Sequence, residues 1–192
     1  MDQQSLFIHA TAVVDPGAIL GAGVKVWHFS HLMPHCVIGA GSIIGQNCFV
    51  ANHVVLGMGV KVQNNVSLYE GVYCEDYVFI GPSAVFTNVI NPRSAIERKD
   101  QFRKTLIKRG ASIGANATII CGNTIGTYAL IGAGTVVTKE VPDFALVVGN
   151  PARQIGWVSE AGHRLDFDDS GKATCPESGA AYIIKDKIVV KA

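Results

Sequence analysis

Residues Leu32 to Val62 read LMPHCVIGAGSIIGQNCFVANHVVLGMGVKV, and every sixth residue is apolar: Leu32, Ile38, Ile44, Val50, Leu56 and Val62. Extended outward, the same step runs unbroken from Ile8 to Phe86. The phase breaks over the stretch from Asn88 to Leu106, then resumes with Ile107, Ile113, Ile119, Ile125, Ile131 and Val137. Four residues after the apolar position stands a small or β-branched side chain, as at Ala18, Val24, Ser30, Cys36, Ser42, Cys48 and Val54. Three residues after it, Gly or Asn occupies 11 of the 20 hexads, and these types tolerate the positive φ of a tight turn. A period of six excludes an amphipathic helix, whose apolar period is 3.6. Three hexads make a triangular coil of 18 residues, and stacked coils make a parallel β-helix. At roughly 4.8 Å per coil the pattern predicts about six to seven coils and a prism on the order of 30 Å tall.

Composition agrees with a packed core. Of 192 residues 48% are hydrophobic and 16% charged, which excludes a disordered chain. A net charge of +1 gives no electrostatic pull toward nucleic acid or an anionic membrane. No apolar run spans 18 residues, and Met1 to Ala10 lacks the pattern of a signal peptide. The five cysteines form no CxxC, so they read as reduced thiols of a cytoplasmic protein. Cys36 and Cys48 take the small inward position and Cys74 the large one, which makes them core.

Residues 18 apart should stack in columns. Ile19, Val37, Val55 and Tyr73 form an apolar outward column, the signature of a subunit interface or of cover by another segment. Asn52, Glu70 and Asn88 should project from one corner, with His35 and His53 beside them. His28, Gln46 and Asn64 form a column on another corner. The excursion from residue 88 to 106 is rich in basic residues (Arg93, Arg98, Lys99, Arg103, Lys104), and a long loop that interrupts a regular repeat is usually functional or mobile. Past the prism, which with its loop makes a unit of residues 1–153, the tail 154–192 carries turn signals at Asp169 to Lys172 and Pro176 to Gly179. Strand-like runs follow at Ala181 to Ile184 and Ile188 to Val190. Cys175-Pro176 looks like half of a zinc ribbon, but no second pair completes it, so no metal is expected there.

The hexad pattern resembles the left-handed β-helix of the hexapeptide-repeat proteins, and the handedness comes from that resemblance alone. GNPAR at Gly149 to Arg153 and IGAGTVVTKEVP at Ile131 to Pro142 resemble the coenzyme A-binding segments of hexapeptide acyltransferases. QNNVSLYEGVYCEDYVFIGPSAVFTNVINPRS (Gln63 to Ser94) and KRGASIGANATIICG (Lys108 to Gly122) resemble nucleotide-sugar 3-N-acetyltransferases. The narrowest likeness is to the UDP-2-acetamido-3-amino-2,3-dideoxy-glucuronate N-acetyltransferases of surface-polysaccharide (O-antigen) biosynthesis. Related acetyltransferases of dTDP-3-amino sugars share much of the pattern, so the alternative acceptor is another nucleotide-linked amino sugar, a dTDP-3-amino-dideoxyhexose or a UDP-4-amino sugar.

The resemblance implies an all-β fold, acetyl-CoA as co-substrate, a nucleotide-linked amino sugar as acceptor, a homotrimer and no metal. Acetyl transfer from a thioester needs a neutral amine held near the carbonyl, donors for the developing oxyanion and a proton acceptor. Asn88, the last residue before the excursion, is the candidate to hold the amine. Glu70 is the candidate base or electrostatic partner, and His53 the fallback. His28, Asn64, Tyr69 and Arg93 are candidates for the nucleotide sugar, Arg93 through a diphosphate or a sugar carboxylate. Lys108, Arg109, Lys139 and Arg153 are candidates for the coenzyme A phosphates, with Ala133 beside the pantetheine amides. Two rivals fare poorly. A zinc hydratase of this fold has an H-x4-H pair that the chain lacks, and an ice-binding scaffold needs a threonine array that no column supplies.

Overall fold

A computed structural model describes residues 5–192; Met1 to Gln4, part of the amino-terminal stretch read above, lie outside the described residues. Three parallel sheets form the faces of a prism. The first face stacks eight parallel strands from Phe7–Ile8 to Ala145–Val148, the second seven from Val13–Val14 to Val136–Val137, and the third six from Ile19–Leu20 to Thr124–Ile125. Register follows the 18-residue coil: Lys25 pairs with Ile43, His31 with Phe49, and Val37 with Val55. The prism is taller than the hexads predict, because Ala145–Val148 lies past the last hexad yet pairs with Leu130–Ile131.

Each hexad's apolar residue points inward. Leu32, Ile44, Leu68, Ile80 and Ile113 are fully buried, and Cys36, Cys48 and Cys74 are buried among them. Burial pushes the Cys36 thiol up to about 11 and raises Cys74 further, which suits inert core residues. Where the small inward position is serine, the hydroxyl is fully used. Ser42 Oγ donates to the Gly57 carbonyl at 2.9 Å and accepts the Val60 N–H at 2.9 Å. The turn position is left-handed in every hexad from Gly17 to Ser83, including those that hold Phe29, His35, His53 and Tyr77. The coil imposes that backbone even on large side chains, which therefore stand outward at the corners.

The excursion interrupts the corner between the second and third faces, here the second corner. Before it, Ser67 pairs with Val85, an offset of 18. After it, Tyr73 pairs with Leu106, an offset of 33. The corner therefore takes in about fifteen extra residues, and the Arg103 N–H donates to the Asn88 carbonyl at 2.8 Å to close the base. The coil resumes with Thr105–Ile107. Leu106, read from the sequence as loop, already extends the outward column beside Tyr73.

After the prism, Arg153–Trp157 turns back antiparallel on Ala145–Val148. The tail then folds as a three-stranded antiparallel sheet of Lys172–Thr174, Ala181–Lys185 and Ile188–Lys191. Tyr182, Leu165, Cys175 and Val189 form a second small core against Phe144. The expected turn at Asp169 to Lys172 is organised by Asp168, whose Oδ1 accepts the N–H groups of Ser170 and Lys172 at 2.9 and 3.0 Å.

Candidate functional site

The second corner holds the largest cavity described, about 540 Å³. Its floor is the outward column of the third face, Val55, Tyr73 and Leu106; its rim carries His53, Glu70, Lys104 and Phe102. The opening follows from the column of corner residues. His35 and His53 stack almost parallel, ring centroids 5.5 Å apart and planes 8° apart. The next position up is Gly71, which has no side chain to cover the His53 ring. Across the offset of 33 the same column continues in Lys104. A carboxylate, an imidazole and an ammonium thus border an apolar recess, an arrangement able to hold an amine and receive its proton.

Asn88 and Arg93 line a neighbouring cavity of about 370 Å³ beneath the excursion. Phe102 borders both cavities. The column arithmetic placed Asn88 directly after Glu70; the loop base separates the two into adjoining recesses. The Arg93 guanidinium donates to the Pro92 carbonyl at 2.9 Å and is otherwise exposed. Asn52, the third member of that column, turns its Oδ1 into the protein without a hydrogen-bond partner. Tyr69 sits at the same corner, 41% exposed, its ring 5.9 Å from Phe49.

His28 and Asn64 stand on the first corner, between the first and second faces, in a third cavity of about 400 Å³. They do not meet Glu70 or Asn88 within one chain. His28 stacks on His9 at 3.5 Å, and Asn64 Oδ1 accepts the Gln46 N–H at 2.8 Å.

The residues read as coenzyme A partners lie toward the carboxyl-terminal coils but converge on no single recess. Lys108 lines a cavity of about 390 Å³ with Lys187 of the tail and lies 3.5 Å from Asp143. Arg109 is held by its own chain: Nη1 lies 3.4 Å from Asp76 and the guanidinium 5.0 Å over the Tyr77 ring. A hydrogen bond with Tyr128, and to a lesser degree the Asp76 charge, raise its already high pKa. Ala133, Lys139 and Arg153 are exposed, Arg153 donating to the Ala152 carbonyl at 3.0 Å. Among the described residues no group of three His, Cys, Asp or Glu side chains is placed to hold a metal ion. Among the described residues no helix is long and apolar enough to cross a membrane.

Two rim residues escaped the sequence reading. Phe102 lies in the aperiodic excursion, where no repeat assigns a neighbour. Lys104 was visible only as one basic residue among several. The signal that finds both is the register after the break: with Leu106 set beside Tyr73, counting back brings Lys104 over Gly71 and Arg103 over Glu70.

The bacterial transferase hexapeptide (six repeats) family matches residues 17–52. Over nearly the whole length the chain is similar to dTDP-3-amino-3,6-dideoxy-alpha-D-galactopyranose 3-N-acetyltransferase of Aneurinibacillus thermoaerophilus, 43% identical over 191 residues, 97% of this chain and 95% of the relative. Among solved structures it resembles the acetyltransferase domain of PglB from Neisseria gonorrhoeae, at 27% identity and a TM-score of 0.51, covering 80% of this chain and 58% of that one. WeeI from Acinetobacter baumannii matches at 25% identity and a TM-score of 0.50, over 76% of this chain and 56% of the other. The chain spans little more than half of those two solved chains. Its hexad prism and its end-to-end likeness to a sugar acetyltransferase agree: the chain belongs to the hexapeptide-repeat transferases, among the N-acetyltransferases of nucleotide-linked amino sugars.

Proposed function

We propose that the chain transfers the acetyl group of acetyl-CoA to the 3-amino group of a nucleotide-linked 3-amino sugar. The observation that carries the reading is the recess of about 540 Å³ opened by the excursion, with Glu70 and His53 on its rim. The amine nitrogen attacks the thioester carbonyl, forming the C–N bond. The C–S bond breaks as the tetrahedral intermediate collapses. The amine proton passes to Glu70, with His53 as the second candidate, and the same group returns it to the departing thiolate to give the free thiol. Asn88, in the adjoining recess, accepts an amine N–H through its side-chain oxygen and aims the lone pair; an amide cannot itself take the proton. Lys139 and Arg153, exposed beside the last coils, are assigned to the coenzyme A phosphates, with Ala133 near the pantetheine arm. Lys108 joins them once released from Asp143. Arg109 would have to leave Asp76 and Tyr77, so it is the weakest of the set.

The 43% identical relative supports a dTDP-linked 3-amino-6-deoxy sugar as acceptor. A UDP-linked 3-amino uronate is the second reading. It is favoured by the cations at the two recesses, Lys104 and Arg93, neither of which has a carboxylate partner among the described residues. The sequence resemblance further carries the reading to a cytoplasmic homotrimer serving surface-polysaccharide synthesis. The apolar column beginning at Ile19, 59% exposed in one chain, is its candidate contact.

The test is thiol release from acetyl-CoA with UDP-3-amino uronate, dTDP-3-amino and UDP-4-amino sugars. Turnover confined to 3-amino sugars supports the reading, and the preferred member assigns the acceptor. Turnover on the 4-amino sugar alone refutes the position of attack. No turnover on any of them refutes the activity. Light scattering at three times the chain mass of 20.4 kDa is expected, and a monomer refutes the trimer.

A further inference from the structure

The first-corner groove has features that acetyl transfer itself does not need. Trp27 is 40% exposed, a large aromatic face left open beside a cavity of about 400 Å³. It is braced from behind: its ring lies 5.2 Å from Phe7 and nearly parallel to His28, at 11°, and His28 is stacked in turn on His9. An exposed indole fixed in this way is a stacking platform.

The groove also carries three side-chain amides, from Gln46, Gln63 and Asn64. Asn64 Oδ1 is held by the Gln46 N–H at 2.8 Å, which leaves its amide N–H groups to donate outward. Among the described residues no hydrogen bond engages the side-chain amides of Gln46 or Gln63, so each offers one acceptor and a donor pair. A uracil or thymine ring presents the complementary edge, an N–H between two carbonyl oxygens.

Cations stand on the adjoining face. Lys25 and Lys61 flank Ile43 from the coils on either side of it, two residues before Trp27 and Gln63 respectively. Both are exposed, and neither forms an ion pair among the described residues. Two strand spacings separate their backbones by about 10 Å, so their flexible stems can close on a diphosphate from both sides.

We propose that the first corner is the nucleoside-diphosphate subsite of the acceptor, with the pyrimidine stacked on Trp27, its imide edge read by Gln63 and Asn64, and the diphosphate held by Lys25 and Lys61. This rests on the nucleotide-sugar reading above and assigns the half of the acceptor that the second corner does not touch.

Calorimetric titration of the full chain with UDP, dTDP, GDP, uridine and thymidine tests it. UDP or dTDP is expected to bind more tightly than GDP. Lys25→Ala with Lys61→Ala should weaken the pyrimidine diphosphate at least tenfold and leave the nucleoside unchanged. Trp27→Ala should weaken both. The lysine pair is exposed, so its loss leaves the fold intact even where the Trp27 variant is poorly folded. GDP bound as tightly as the others overturns the imide assignment. Pyrimidine diphosphate binding untouched by the groove variants but lost in Lys104→Ala overturns the subsite and leaves the nucleotide-sugar reading standing. No diphosphate binding by the unaltered protein overturns both.

Discussion

Gly71 connects the excursion to the recess, and its replacement by alanine has a cost that can be worked from geometry. Corner residues with side chains sit near the centre of the left-handed region: φ is 56° at Asn47, 60° at His53 and 62° at Asn65. Gly71 lies at 100°, outside that well. A β-carbon there would stand 2.9 Å from the Arg103 carbonyl oxygen and 3.6 Å from Lys104 Cα. The obstacle is backbone, and it cannot rotate away. Strain of this kind costs about 1–3 kcal/mol, and overpacking against a fixed neighbour adds about 1–3 kcal/mol. Gly41 is the control, with φ at 70° and nothing within 4 Å of an added β-carbon. Gly41→Ala should cost about 1–2 kcal/mol from backbone alone. Urea unfolding of both variants should therefore separate them by about 2 kcal/mol at unchanged slope. Relief of the Gly71 contact also moves Arg103, and with it Phe102 and Lys104 on either side. Gly71→Ala should thus lose acetyl transfer at temperatures where it remains folded, while Gly41→Ala keeps its rate. Equal losses of stability, or a fully active Gly71→Ala, would refute the reasoning.

Glu70→Gln should lower kcat about a hundredfold or more with little change in KM, and Asn88→Ala should lower kcat while raising the KM for the sugar. A fully active Asn88→Ala beside an inactive Glu70→Gln would remove Asn88 from the chemistry. Ser42→Ala leaves the Gly57 carbonyl and the Val60 N–H unpaired in the core, so it should cost about 1–3 kcal/mol in urea unfolding; an unchanged midpoint would show that water or a shifted backbone replaces the hydroxyl. Hydrogen bonds from Ser159 and then Ser178 hold the Cys175 thiol down to about 6. Its folded-state pKa lies below the unfolded value, so stability should rise with pH from about 6 to about 9 and fall as pH drops through 6. Cys175→Ala should flatten that slope, and an unaltered slope would refute the thiolate.

Most of the fold was legible because a solenoid converts sequence period directly into contact. Position i touches i+18 wherever the coil is unbroken, so burial, register and the left-handed turns all follow from one arithmetic. The same arithmetic fails at the insertion, where the offset becomes 33 and columns must be re-registered. Arg109 shows the consequence. Its partner Asp76 lies 33 residues back, so before the loop was placed it read as a free cation. Ala145–Val148 was missed for a related reason, since it pairs on the first face without holding the hexad phase. Phe102 had no periodic signal at all. At the candidate site the column order set His53 beside Glu70, and the two border one recess. It could not show that the loop base divides Glu70 from Asn88, because that division depends on the Arg103–Asn88 hydrogen bond closing an aperiodic segment.

A prism also limits which residues can cooperate. Side chains on one corner meet those directly above and below, while a different corner faces away across a packed core. Trp27 with Lys61 and Glu70 with His53 therefore cannot serve the same acceptor from one chain. If both columns act on one nucleotide sugar, the groove of one copy must face the recess of the next. Subunit complementation then follows. Trp27→Ala and Glu70→Gln, each impaired alone, should recover activity when co-expressed, because some interfaces pair an intact groove with an intact carboxylate. Random assortment of equal amounts gives about a quarter of interfaces fully intact in a cyclic assembly. Trp27→Ala with Lys61→Ala damages one groove twice and should recover nothing, which controls for mere stabilisation by mixing. Recovery in the first pair but not the second is the expected result. No recovery in either, from assemblies shown by mass to be mixed, would mean that the two corners do not share a substrate, and the nucleotide would then have to lie along the second corner with the amine.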